Sequence, residues 1–131
     1  IASLSGIDVR IMIPNKPDHP FVYWATYSYV GNMLEAGAKI HIYQNGFLHA
    51  KTIVVDGKLS SVGTANIDVR SFRLNFEVNA FMYSEQVARK LLKQYELDMK
   101  ECYTLSLDDY KKRSTWIRFK ESVARLISPI L

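Results

Sequence analysis

HAKTIVVDGKLSSVGTAN, residues 49–66, decides the reading of this chain. A histidine and a lysine one residue apart lead into a β-branched run. An Asp-Gly pair follows, and a second short run ends in Gly63-Thr64-Ala65-Asn66. The two runs read as strands over 47–56 and 59–63, joined by Asp56-Gly57 as a two-residue hairpin turn. Residues two apart in a strand share a face, so His49 and Lys51 project together. Counting back from the turn sets His49 opposite Thr64. His49, Lys51, Thr64 and Asn66 are then expected to share one patch, in a register that a bulge would spoil.

Working outward, VRIMIP (9–14) reads as a strand stopped by Pro14 and the NKPDHP loop. Asp18 is a candidate cap, with Pro20 in the first turn of a helix running to about Ala36, where Gly37 ends it. Tyr23, Tyr27, Val30 and Leu34 fall on one face of that helix. AKIHIYQ (38–44) alternates as a strand, and NFEVNAFMYS (75–84) is the last clear one. EQVARKLLKQYELDM reads as a helix capped by Ser84, with Val87, Leu91 and Tyr95 on one side. A final helix is expected over most of Leu107 to Ile127. The order predicts an α/β domain with a mixed β-sheet flanked by helices on its faces.

The chain has 131 residues, 48% apolar and 23% charged, which suits one globular domain with a real core. No apolar run approaches the length of a membrane span, and no signal-peptide pattern is present. Cys102 is the one cysteine, which excludes a disulfide framework within the chain. A net charge of +4 biases the protein mildly toward anionic partners. The chain opens on Ile1, and IASLSG reads as the tail of an element whose start is missing. An excised piece of a longer protein is therefore expected.

The opening patch suits a phosphate. Imidazole serves as nucleophile or as acid and base near neutral pH. An ammonium and an amide can hold non-bridging oxygens as charge builds in the transition state, and Thr64 adds a hydroxyl and a backbone donor. No metal or other cofactor is called for, and HExxH and CxxC spacings are absent.

HxK, four residues, Asp, six residues, Gly-Thr-x-Asn resembles the HKD motif of the phospholipase D superfamily, on His49, Lys51, Asp56, Gly63, Thr64 and Asn66. The superfamily often has Ser where Thr64 stands, and the hydroxyl is kept. It also has a downstream acid that orients the histidine, and Glu77 in LNFEVN stands at the matching spacing. DVRIMIPNKPDHPFVYWATYSY, AGAKIHIYQNGFLHAKTIVVDG, GTANIDVRSFRLNFEVNAF and RLISPIL resemble the C-terminal half of the bacterial cardiolipin synthases, over nearly the whole chain.

That resemblance implies a phosphatidyltransferase of phospholipid biosynthesis with two HKD halves and membrane-spanning helices at its N-terminus. It would move a phosphatidyl group between two phosphatidylglycerol molecules through a phosphohistidine, releasing glycerol. One histidine attacks, and the histidine of the other half protonates the leaving oxygen. Residues 1–131 are then a single C-terminal catalytic domain, itself soluble, of an enzyme held at the cell membrane. Its implied partners are phospholipid substrate, the N-terminal HKD half and a membrane surface, with no nucleic acid. His49, Lys51, Asp56, Asn66 and Glu77 are the candidate catalytic residues. Lys51, Gly63, Thr64 and Asn66 are the candidate phosphate holders, and no metal ligands are assigned.

Asp56 carries a second reading. Asp-Gly is a common turn, and Asp56 has the opposite strand parity from His49, which favours a structural role. The motif also serves phospholipases, phosphatidylserine synthases and metal-independent nucleases, because phosphodiester chemistry does not name the attached group. A lone half can equally be a phosphate- or lipid-binding module, inactive or weakly active without its partner. His19 and His41 carry no motif and read as structural. Arg70 and Arg73 read equally as charge at the site mouth or as solvated side chains. The basic, Trp- and Phe-bearing segment after Tyr110 reads as a helix packed on its own domain or on a missing half, with an anionic membrane surface as the alternative.

Overall fold

The computed structural model describes residues 1–16 and 20–127. Strand β1 (Arg10–Pro14) is followed by helix α1 (Pro20–Glu35), β2 (Lys39–Tyr43), β3 (Thr52–Val55) and β4 (Leu59–Gly63). Then come a short helix α2 (Val69–Arg73), β5 (Asn79–Tyr83), α3 (Glu85–Asp98), β6 (Cys102–Leu105), α4 (Leu107–Lys111) and α5 (Thr115–Ile127). The α/β reading holds, but the strands form two three-stranded sheets instead of one, β1-β2-β6 and β3-β4-β5. Each sheet belongs to its own compact unit: Ile1–Leu48 with Cys102–Leu131, and His49–Glu101. The sequence reads as one domain because no linker composition marks the junctions at 48/49 and 101/102.

In the first unit β2 is central, parallel to β1 and antiparallel to β6. Ile40 and Ile42 are buried against Tyr27 and Val30 of α1, with Tyr23, Met33 and Leu34 packed around them. The 4-3-4 spacing read from the sequence is thus the core stripe. Burying each such aliphatic side chain stabilises the fold by about 1.5–3 kcal/mol. Pro20 opens α1, where a missing N–H costs nothing. At its other end the Gly37 and Ala38 N–H groups bond back to the Leu34 and Met33 carbonyls at 3.0 and 2.9 Å. The expected Asp18 cap lies outside the described residues.

Helix α4 docks on α1 by a close approach at Gly31. A Cβ there would stand 2.6 Å from Tyr110 Cε1, and the Tyr110 hydroxyl donates to the Tyr27 carbonyl at 2.8 Å. The single expected C-terminal helix is in fact two. Ser106 accepts the Asp109 N–H at 3.0 Å to start α4, and Ser114 accepts the Ile117 N–H at 3.3 Å to start α5. Ser106 lies ahead of the expected helix, and it is Ser114, between α4 and α5, that competes with a continuous helix by bonding backbone locally.

In the second unit β4 is central and antiparallel to β3 and β5. Helix α3 packs on this sheet. Ala88 is buried and Val87, Leu91 and Tyr95 are half-buried, as the helical spacing predicts. Ser84 caps the helix, accepting the Val87 N–H at 3.5 Å.

Candidate active site on the β3–β4–β5 sheet

The site lies in the second unit, at the end of the sheet away from the hairpin turn. Strand β3 is shorter than expected: regular pairing covers 52–55, and His49 and Lys51 precede it. The ladder still extends to Lys51, whose carbonyl accepts the Gly63 N–H at 3.2 Å. The turn is also longer than expected. Lys58 N–H bonds the Val55 carbonyl at 3.0 Å, Asp56 and Gly57 both take positive φ (51° and 63°), and Leu59 pairs with Val55. These φ signs are those of a type I′ turn, with Lys58 as a third loop residue.

One extra loop residue shifts the register by one. Lys51 stands opposite Gly63, one residue out of the expected register, so the expected pairing of His49 with Thr64 is not formed, and the chain bends at Thr64. The β4–β5 register carries the row onward. Gly63 pairs with Asn79, and Thr64 N–H bonds the Val78 carbonyl at 3.0 Å. The row Lys51–Gly63–Asn79 results, with His49 two residues before Lys51 in the chain and Glu77 two residues before Asn79. Asp56 sits in the turn at the other end of the hairpin. Seven residues of strand rise put it roughly 20 Å from His49 along the chain.

Glu77 is the hub of the side-chain network. Its Oε2 accepts from the Thr64 hydroxyl at 2.5 Å, and its Oε1 accepts from Ser71 Oγ at 3.0 Å and Asn75 Nδ2 at 3.2 Å. The Thr64 hydroxyl oxygen in turn accepts the Val78 N–H at 3.0 Å. Three donors to one carboxylate favour its charged form. The Thr64 and Asn75 hydrogen bonds, with Ser71 and the positive charge of Lys51, hold the Glu77 carboxyl below its ordinary range. Thr64, expected on the phosphate, is therefore engaged with Glu77.

The 67–75 segment supplies the other donors. Asp68 caps α2 by accepting the Ser71 N–H at 2.6 Å, which turns the buried Ser71 hydroxyl toward Glu77. The same oxygen accepts the Asn66 N–H at 3.2 Å, fixing the Asn66 backbone and leaving the residue exposed. Arg70 Nε donates to Asn75 Oδ1 at 3.3 Å, so this arginine braces a Glu77 partner. Arg73 is exposed.

Gly63 must be glycine for a spatial reason. A Cβ there would stand 2.0 Å from Asn79 Oδ1 and 2.3 Å from the Val78 carbonyl oxygen. Asn79 fills the space, with its Oδ1 accepting the Ala65 N–H at 3.2 Å and its Nδ2 donating to Ser61 Oγ at 3.3 Å. On the outer strand, Lys51 Nζ donates to the His49 carbonyl at 2.9 Å, holding the ammonium beside the histidine backbone. His49 is exposed and Lys51 half-buried. His41 lies elsewhere, buried in β2 with Nδ1 3.1 Å from Thr104 Oγ1, in keeping with a structural role.

Asn79, Ser71 and Asn75 were missed from the sequence. A signal for two of them was there: in NFEVN, residues 75, 77 and 79 are polar and 76 and 78 apolar, a period-2 pattern that puts both asparagines on the Glu77 face. Ser71 gave none, because its role depends on the α2 turn.

Residues 1–99 match the family described as cardiolipin synthase, phospholipase D-like domain. The chain belongs to this family. Over all 131 residues it is 63% identical to a cardiolipin synthase of Oceanobacillus iheyensis and 64% identical to the major cardiolipin synthase ClsA of Bacillus subtilis. It spans 27% of the length of each.

Among solved structures, phosphatidylserine synthase of Haemophilus influenzae aligns with TM-score 0.73 at 16% identity, over 99% of this chain and 37% of that one. Nuc, a phospholipase D family member from Salmonella typhimurium, aligns with TM-score 0.64 at 22% identity, over 77% of this chain and 66% of that one. Both likenesses concern the fold. Within this family domain, the candidate residues His49, Lys51, Gly63, Asn66 and Glu77 lie at the end of the β3–β4–β5 sheet away from the hairpin turn. Asp56 stands apart in the turn. No described helix is long and apolar enough to cross a membrane.

Proposed function

We propose that this chain is the C-terminal catalytic half of a cardiolipin synthase, transferring a phosphatidyl group from one phosphatidylglycerol to another. The observation that carries the proposal is the end of the β3–β4–β5 sheet where the row Lys51–Gly63–Asn79 lies beside the Glu77 hydrogen-bond network, with His49 just ahead of β3, in a chain of this family. A full active site takes the histidine of an N-terminal HKD half as well, and the whole enzyme sits at the cell membrane through N-terminal helices. Residues 1–131 form one catalytic domain of that enzyme.

Chemically, one histidine of the pair attacks phosphorus and forms a P–N bond as the P–O bond to glycerol breaks. The other histidine gives its proton to the glycerol oxygen. A hydroxyl of the second phosphatidylglycerol then attacks the phosphohistidine and returns a proton to that same group. Cardiolipin and glycerol leave, and no redox partner or metal enters the balance. Lys51 and Asn66 neutralise the non-bridging oxygens. Glu77, kept ionised by its three donors, is an acceptor for the second nitrogen of His49, fixing its tautomer. Gly63 makes room for the Asn79 side chain, whose Oδ1 holds the Ala65 N–H.

The test is a transphosphatidylation assay with a chelator present, on the full-length enzyme and on this chain, with and without His49→Ala. Full-length enzyme is expected to make cardiolipin and the His49→Ala form to lose it. This chain alone is expected to show little turnover. Activity that survives His49→Ala or that needs a divalent ion overturns the mechanism. Cleavage of DNA with none of phosphatidylglycerol overturns the substrate.

A further inference from the structure

Helix α5 is amphipathic, yet its apolar stripe does not face the core. It packs on α1 through Glu121 and Ala124, 4% and 1% exposed. The Arg113 guanidinium, 3.5 Å above the Tyr110 ring, pairs with Glu121 at this buried seam. Burial raises the Glu121 pKa, so the one acid of α5 is held inside and engaged.

The outward arc carries Trp116, Phe119, Val123 and Leu126, spaced 3, 4 and 3, which aligns them in one stripe. They are 64, 58, 43 and 81% exposed. The Trp116 and Phe119 rings stack at 5.7 Å, and with Trp24 and Val123 they line an open apolar hollow of about 180 Å³. Cations border both edges of the stripe. On one side Lys120 Nζ stands 5.2 and 5.5 Å from the Trp24 and Trp116 rings. On the other, Arg118 and Arg125 border a polar cleft of about 150 Å³ shared with Ser28, Ser122 and, at its floor, the buried Arg113–Glu121 pair.

An exposed stripe of large apolar side chains marks a surface that something else covers. The borders choose the occupant: cations on both edges, with the only acid of the helix turned inward, complement a sheet of negative charge. Aromatic rings between basic edges suit the headgroup boundary of a bilayer. We propose that α5 docks on an anionic phospholipid surface, with Trp116, Phe119, Val123 and Leu126 entering the acyl boundary and Arg118, Arg125 and Lys120 on headgroup phosphates. This deepens the phospholipid reading above, because a lipid-facing helix would bring the catalytic half to its substrate. It rests on the α1–α5 geometry alone, so either can fail without the other.

The experiment uses this chain with vesicles of phosphatidylglycerol in phosphatidylcholine, and with phosphatidylcholine alone. Flotation should occur with the anionic vesicles and weaken with salt. Arg118→Gln with Arg125→Gln, and separately Phe119→Ser with Leu126→Ser, should each lower the partition about tenfold or more, since each cation contributes about a kcal/mol near a charged surface. All four residues are exposed, and circular dichroism checks that both variants fold. In a Cys102→Ser background, a fluorophore on Phe119→Cys should be quenched by lipids spin-labelled in the acyl chain. His49→Ala should float like the parent, separating docking from catalysis. Equal flotation with both vesicle types, indifference to both double variants, or a label shielded within a lipid-free dimer would overturn the proposal, the last assigning the stripe to a protein partner.

Discussion

His41 and His49 stand eight residues apart, one in each unit, and the two units use the same side chain in opposite ways. His41 is in the middle of β2, 6% exposed, with Nδ1 at the Thr104 hydroxyl. Burial, with the charges of Arg10 and Lys39 added, holds its pKa below the ordinary value, so it stays neutral. His49 sits beyond the end of β3, exposed, at a sheet end where a carboxylate, an ammonium and two asparagines converge. A histidine inside a ladder is held by packing and has no room for a substrate. One just past the ladder keeps the strand's direction and gains access. Position relative to the end of regular pairing decides which is chemically useful.

The comparison breaks most sharply on activity. In the full-length enzyme His49→Ala should lower transfer by roughly a thousandfold or more, the scale of losing a nucleophile or acid–base group. His41→Gln should leave transfer within about threefold and cost about 1 kcal/mol of stability through the lost Thr104 hydrogen bond. A transfer assay beside thermal unfolding checks both, and equal activity losses would erase the distinction. Glu77→Gln comes next. It turns an acceptor that serves three donors into a group with an amide facing one of them. A loss of about 10- to 100-fold in transfer is expected, typical of a residue acting through another, with a shifted pH–rate profile. An unshifted profile would reduce Glu77 to a structural brace.

Gly63→Ala tests the Lys51–Gly63–Asn79 row. The new methyl meets a backbone carbonyl as well as Asn79, so β4 and β5 must part. The cost is about 1–3 kcal/mol, read as a lowered melting temperature of the second unit. The smallest effect is the pH dependence of the first unit. The folded pKa of His41 lies below its unfolded value. Its contribution is therefore complete above about pH 6.5 and is lost as pH falls from there toward the folded pKa. Unfolding at pH 5.5 and 7.5 should show that loss in the parent and less of it in His41→Gln. Glu121, raised by burial, acts with the opposite sign: its contribution falls as pH rises through the carboxylate range. The difference between parent and variant therefore isolates His41.

Much of the fold was legible. The α1 stripe, the Gly37 stop, the Ser84 cap and the full extent of β4 follow from local rules, and each acts within one or two turns of chain. Three things were not. Strand β6, four residues long after a helix, is defined by pairing with β2, a partner some sixty residues away in the chain. The split of the last helix falls at the Ser114 cap. The register at the site turned on whether Lys58 belongs to the turn or the strand, which depends on backbone φ at Asp56.

The sequence by itself singled out the candidate set His49, Lys51, Gly63, Thr64, Asn66 and Glu77, because a spaced motif of reactive types is legible without coordinates. It also determined that Asp56 belongs to a turn, because Asp-Gly carries that conformation locally. Only the tertiary structure decided what Thr64 does. A hydroxyl just past the end of β4 reaches a carboxylate just before the adjacent β5 only once those two strands are aligned and the chain bends at Thr64. The outward turn of the α5 stripe was decided in the same way. Periodicity fixes which residues share a face, and packing on α1 alone fixes which face is covered.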